Sequence, residues 1–241
     1  MVRHPLAAVL FDLDDTLHDD TAAYRKAAQA VAADVAEQQG CEAATLFEAY
    51  VRGAEQFWRE LSPEGLATPL AGVRSRLWAA ALETVALHDA DLAVYCADAY
   101  NRYRRDAFML WPGALELLKR LRAQGYKLGL ITNGFAETHR EKIALLALED
   151  AFDEIVIADE VGLLKPDPRV FRLAAERLGV EPEACAMVGD RFERDIRGAH
   201  AAGMRTIWMN VRAETLPAHG LQPDAVVTEI DAVEAALPGR S

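Results

Sequence analysis

Cysteine is scarce in this chain: Cys41, Cys96 and Cys185 are three in 241 residues, far apart and odd in number. They supply neither a disulfide framework nor a zinc signature, which suits a reducing cytoplasm. Basic residues are in deficit, 26 against 38 acidic ones, for a formal net charge of −12. A general nucleic-acid binder needs basic surface to neutralise phosphates, so no nucleic-acid polymer is expected as a partner. A small phosphorylated ligand held by a few local cations stays open. No apolar run approaches membrane length, and no basic segment followed by an apolar stretch opens the chain, so no membrane partner is expected. Internal repeats and low-complexity tracts are missing as well. These absences predict a soluble, cytoplasmic protein, monomeric or homodimeric, with one large domain or a core carrying a smaller insert.

The stretch Val9-Leu10-Phe11-Asp12-Leu13-Asp14-Asp15-Thr16-Leu17 organises what is present. Ala7 to Phe11 reads as a short strand buried on both faces, as in a parallel sheet. It ends in three carboxylates within four residues, so the strand delivers Asp12 and Asp14 to its carboxyl end. Crowded carboxylates raise one another's pKa unless a cation or a shared proton relieves them. Hard divalent cations choose oxygen ligands of this kind. The plain alternative is an N-terminal strand followed by a solvated acidic turn, and Asp15 and His18 are read mostly as turn residues, with His18 a candidate for lining an entrance.

After Leu17 the pattern turns helical, with runs over about 19–39, 42–61, 70–87 and 89–105 and no strand signal. Residues 18–108 therefore form a four- or five-helix insert. From Trp111 onward strands and helices alternate: strands 126–131, 154–158, 185–188, 206–209 and 225–227, with helices before 125 and over 137–146, 168–178, 192–202 and 231–237. A polar loop containing Lys165-Pro166 comes after the third strand. The alternation implies an α/β fold with a parallel, doubly wound sheet, residues 1–17 and 109–241 making its core. In such sheets ligands sit outside the carboxyl ends of the strands, near the topological switch point.

Four separated signals fall at such strand ends: Asp12-Leu13-Asp14, Thr132-Asn133-Gly134, Lys165-Pro166, and Gly189-Asp190 with Asp195 five residues on. Alone, the second is an ordinary turn, the third a surface loop, and Asp195 a helix-start carboxylate favoured by the macrodipole. In order and spacing they resemble the four motifs of the haloacid dehalogenase-like superfamily of phosphotransfer enzymes, over residues 6–17 and roughly 110–210. The resemblance implies a Rossmann-like core with an α-helical cap at 18–108. Segments such as Ile131-Thr132-Asn133-Gly134-Phe135 look like the branch of pyrimidine-nucleotide and N-acylneuraminate-9-phosphate phosphatases.

On that resemblance Asp12 is the nucleophile, since a carboxylate can accept a phosphoryl group and split hydrolysis into two displacements. Asp14 protonates the leaving oxygen and then activates water, for which its pKa is expected to be raised. The Thr132 hydroxyl and the backbone N–H of Asn133 hold phosphate oxygens, and Lys165 neutralises charge on the nucleophile and transferring group. Asp190 coordinates Mg²⁺ with Asp12 and the Asp14 carbonyl, and Asp195 orients Lys165 or a metal-bound water. Arg191 departs from the small hydroxyl residue common after Gly-Asp; it either points to solvent or adds positive charge near the site. The dehalogenase and phosphonatase branches lack an acid at the position of Asp14, and phosphonatases use a cap lysine where this insert has only Lys26. The expected function is a Mg²⁺-dependent phosphatase acting on a small phosphorylated metabolite, a nucleotide or sugar phosphate. A phosphotransferase or mutase of the same superfamily, a non-catalytic phospho-ligand binding protein and a shorter two-component receiver are the alternatives.

Overall fold

The computed structural model describes residues 5–66, 69–216 and 220–238. The chain divides into two compact units, one built from the residues up to Asp19 and from Met109 onward, the other from Asp20–Phe108.

Among the described residues the first unit carries six strands: β1 Ala8–Phe11, β2 Lys127–Thr132, β3 Glu154–Ile157, β4 Cys185–Gly189, β5 Arg205–Met209 and β6 Ala225–Val227. Their order is β3-β2-β1-β4-β5-β6, with every neighbouring pair parallel. All four residues of β1 are buried, as expected of an apolar run covered on both faces. The chain leaves β1 towards β2 and β3, then returns to β4 on the other side of β1. The switch point therefore lies between β1 and β4.

The second unit contains helices α1 Asp20–Gln39, α2 Ala43–Arg59, the short α3 Pro63–Leu66, α4 Leu70–Glu83 and α5 Ala90–Asp106. Gly40, at φ 70°, supplies the left-handed residue that ends α1. Asp89 caps α5 by accepting hydrogen bonds from the backbone N–H groups of Asp91 and Leu92. Helix α1 packs on α2 and α5, and α4 packs on the same two. At the centre the Tyr50 and Trp78 rings stack at 4.0 Å, with Tyr100 tilted against Tyr50 at 5.1 Å. Truncating the fully buried Trp78 to alanine is expected to destabilise the chain by about 3–5 kcal/mol in chemical denaturation. Tyr95→Ala on the exposed side of α5 should stay within about 0.5 kcal/mol. Equal effects would mean that the aromatic stack is not what holds this unit.

Among the described residues six helices complete the first unit: α6 Ala114–Ala123, α7 Ala136–Leu145, α8 Ala158–Val161, α9 Pro168–Leu178, α10 Arg197–Ala202 and α11 Val233–Ala236. Helix α9 shows how the sequence writes them. Asp167 caps it, Pro168 starts it, Gly179 at φ 65° stops it. Its stripe Val170, Phe171, Ala174, Ala175 and Leu178 packs with Leu10, Ile131, Val156 and Met187 of the sheet. Two expectations are corrected. The segment read as one helix over 192–202 opens with a π-helical turn, Phe192–Ile196, before α10. The wider turn accompanies full burial of Asp195, whose Oδ2 accepts the Arg191 N–H at 2.9 Å. A helical turn, α8, also opens the segment read as a polar loop. Among the described residues no helix is long and apolar enough to cross a membrane.

Candidate active site

Strand register gathers the four signals. Phe11 stands beside Leu130 of β2 and Val188 of β4. The residues just beyond these positions, Asp12, Thr132 and Asp190, therefore emerge at the carboxyl ends of three adjacent strands, beside the switch point. Asp12, Thr132, Asp190, Asp195 and Lys165 are all buried.

Lys165 is the hub. Its Nζ lies 2.7 Å from Asp12 Oδ1 and 2.6 Å from Asp195 Oδ1, and donates to the Ile131 carbonyl at 2.9 Å. Burial alone would lower its pKa, but Asp12 and Asp195 outweigh it and raise it. Asn133 fixes the lysine's backbone: its amide donates to the Lys165 carbonyl at 2.9 Å and its oxygen accepts the Lys165 N–H at 2.8 Å. The Asn133 side chain thus faces the lysine, leaving the phosphate contact read for this residue to its backbone. Gly189 is required here because an added Cβ would lie 2.4 Å from Asp195 Cγ. Its missing side chain is the space in which Asp195 folds back toward Lys165.

Asp12, Asp190 and Asp195 bring carboxylate oxygens within 4.8 Å of one another. Burial and then the neighbouring carboxylates push Asp12 up to about 7, against the pull of Lys165. Burial, Asp195 and Asp12 likewise hold Asp190 well above the ordinary carboxylate range. Asp190 Oδ2 meets Arg212 Nη1 at 3.0 Å and Arg191 Nε at 3.3 Å, so Arg191 adds positive charge beside the site. Its Oδ1 is buried with no hydrogen-bond partner among the described residues. An orphaned carboxylate oxygen among crowded, buried carboxylates is the donor set that a hard divalent cation satisfies.

Asp14 departs from expectation. Its Oδ1 lies 2.5 Å from Lys142 Nζ and 3.5 Å from His18 Nε2, and its Oδ2 lies 3.4 Å from His139 Nε2. Burial would raise its pKa, yet Lys142, His139 and His18 together hold it well below the usual carboxylate range. The raised carboxyls are Asp12 and Asp190, not Asp14. Asp15 and His18, read as turn residues, are both buried; Asp15, at φ 58°, pairs with Arg212.

Sequence reasoning passed over Lys142, His139 and Arg212. The first two sit on α7 with Ile143 in its buried stripe, and a polar residue on a core-facing stripe was the available signal. Arg212 comes after β5 in a loop that carries no motif.

Fold and site together define an enzyme of the doubly wound α/β class with an aspartate-based centre. A model of the haloacid dehalogenase-like hydrolases matches residues 6–203, and the chain belongs to that family. It is 36% identical over 238 residues to the phosphoserine phosphatase of Thermus thermophilus, covering 90% of both chains. It is 32% identical over 209 residues to the N-acylneuraminate-9-phosphatase of Mus musculus, covering 84% of this chain and 82% of that one, which bears out the branch resemblance. The magnesium-bound hydrolase YfnB of Bacillus subtilis shares the fold, with a TM-score of 0.78 over 97% of this chain and 99% of that one at 23% identity.

Proposed function

We propose that this phosphoric monoester hydrolase is Mg²⁺-dependent and acts on a small phosphorylated metabolite through an aspartyl-phosphate at Asp12. The observation that carries the proposal is the Lys165 ammonium bridging Asp12 and Asp195, with the orphaned Asp190 Oδ1 alongside. In the first displacement an Asp12 oxygen attacks phosphorus as the ester P–O bond breaks, and the leaving oxygen takes the proton that Asp14 carries from the preceding turnover. In the second, water attacks the acyl phosphate, its proton passes to Asp14, and the P–O bond to Asp12 breaks to release inorganic phosphate. Lys165 offsets the charge gathered on the nucleophile and phosphoryl oxygens, and the Thr132 hydroxyl with the Asn133 N–H orients them. Asp12, Asp190 and the Asp14 carbonyl would hold Mg²⁺, which supplies further charge neutralisation at the phosphoryl group.

Held ionised, Asp14 is free to accept a proton from water, and the cations that hold it ionised make it a weaker base for that step. Donating one to the leaving oxygen requires that it first be protonated. Relatives named for phosphoserine and N-acylneuraminate-9-phosphate support a small, hydroxyl-derived ester as substrate. The Asp20–Phe108 unit, read as a cap, selects among such esters while the sheet unit performs the chemistry. The three cysteines are free, in keeping with a cytoplasmic location.

Excess chelator should abolish phosphate release. Asp190→Ala should raise the Mg²⁺ concentration for half-maximal activity by roughly tenfold or more. Titration with Mn²⁺, monitored by electron paramagnetic resonance, should show the same weakening without reference to turnover. Full activity in excess chelator would sink the metal dependence.

A further inference from the structure

We propose that Lys142, supported by His139, is a positioning residue for the hydrolytic reaction, acting through Asp14. The inference rests on the phosphatase reading and adds to it two residues that its four motifs do not contain. The Lys142 side chain is wholly buried, and its Nζ lies 2.5 Å from Asp14 Oδ1. His139, one helical turn earlier, sets Nε2 3.4 Å from the other oxygen, Oδ2. Its Nδ1 lies 3.1 Å from the Phe135 carbonyl, which can only accept, so Nδ1 is the donor and the ring is fixed with Nε2 toward Asp14. The Lys142 ammonium thereby holds the carboxylate at Oδ1, while the fixed His139 ring, whose Nε2 has no hydrogen-bond partner among the described residues, packs beside Oδ2 and limits rotation about the last side-chain bond.

The surroundings are shaped for this grip. A Cβ on Gly134 would lie 1.9 Å from His139 Cε1, so the glycine leaves the space that the imidazole fills. Phe135 gives α7 no side-chain cap; Asp159, beyond the end of β3, accepts the Ala136 N–H at 2.9 Å instead. The helix that carries both residues is thus tied to the strand ends where the site lies. Stability alone gives little reason for a wholly buried ammonium, since an apolar residue of similar volume packs as well without desolvating a charge. Orientation of a catalytic carboxylate gives a reason, because misplacement by about 1 Å can cost on the order of 10²-fold in rate.

The test is a double-substitution cycle on kcat with an alkyl phosphate, using Lys142→Met, which conserves volume, and Asp14→Asn. Lys142→Met should lower kcat by about 30- to 100-fold with KM changed less than about threefold. The double variant should be no slower than Asp14→Asn alone, within about twofold, because the lysine works only through that carboxylate. If Lys142→Met does not fold, judged by circular dichroism, Lys142→Gln is put through the same cycle with the same expectation. An unchanged kcat, or losses that multiply in the double variant, overturns the proposal. A wild-type protein that releases phosphate while the cycle multiplies refutes the positioning role alone; one that releases none from any ester refutes the phosphatase reading beneath it.

Discussion

Asp12→Asn should abolish turnover of alkyl and aryl phosphates alike, with kcat falling by on the order of 10⁵ or more, as losing a covalent nucleophile does elsewhere. The amide matches the carboxylate in shape but cannot attack phosphorus, so no acyl phosphate forms whatever the leaving group. The fold should persist. Asp195 remains paired with Lys165 at 2.6 Å, and the lysine still donates to the Ile131 carbonyl, so the buried ammonium keeps two partners. Activity is read by phosphate release and the covalent step by intact-protein mass after quenching. A phosphoryl adduct of normal yield in Asp12→Asn would place the nucleophile elsewhere, and residual turnover within about a hundredfold of wild type would make Asp12 auxiliary.

How far the site could be read from sequence depended on where each residue lies along the chain. Asp12, Thr132 and Asp190 stand at or just beyond strand ends, where an apolar run gives way abruptly to polar residues, and Lys165 and Asp195 follow in the connections after β3 and β4. A doubly wound sheet carries such ends to one edge, so one-dimensional punctuation became a three-dimensional cluster. Helices with strong stops were equally legible, as Gly40 and Gly179 show. Lys142 and His139 were not, because they lie inside α7 and their polarity is answered by Asp14, far away in sequence. Arg212 was hidden for the same reason: its partners Asp15 and Asp190 belong to two other strand ends. The π-helical turn at Phe192–Ile196 was invisible because its composition also suits an α-helix. The order of the carboxyl pKa values failed most instructively. Proximity in sequence suggested that crowding would raise Asp14, yet burial and Asp195 raise Asp12 against the pull of Lys165, while Lys142, His139 and His18 hold Asp14 down against its burial.

That division makes Asp14→Asn the sharpest probe of the chemistry. The substitution removes the carboxylate that Lys142 holds while leaving Asp12, Lys165 and the Asp190 cluster in place. An alkyl phosphate needs a proton on its departing oxygen, so its first step should slow by about 10²- to 10⁴-fold, the usual worth of positioned proton transfer. A nitrophenyl phosphate leaves readily as an anion, so its attack by Asp12 should survive. Water attack on the resulting acyl phosphate then lacks its base and becomes limiting. Rapid mixing should therefore show a burst of nitrophenolate approaching one per active site, then a slow steady rate, and mass measurement should show the added phosphoryl group. Loss of both substrates to the same degree, with neither burst nor adduct, would remove Asp14 from proton transfer. The Lys142–Asp14 pair would then serve to hold the β1 end in shape for the metal ligands.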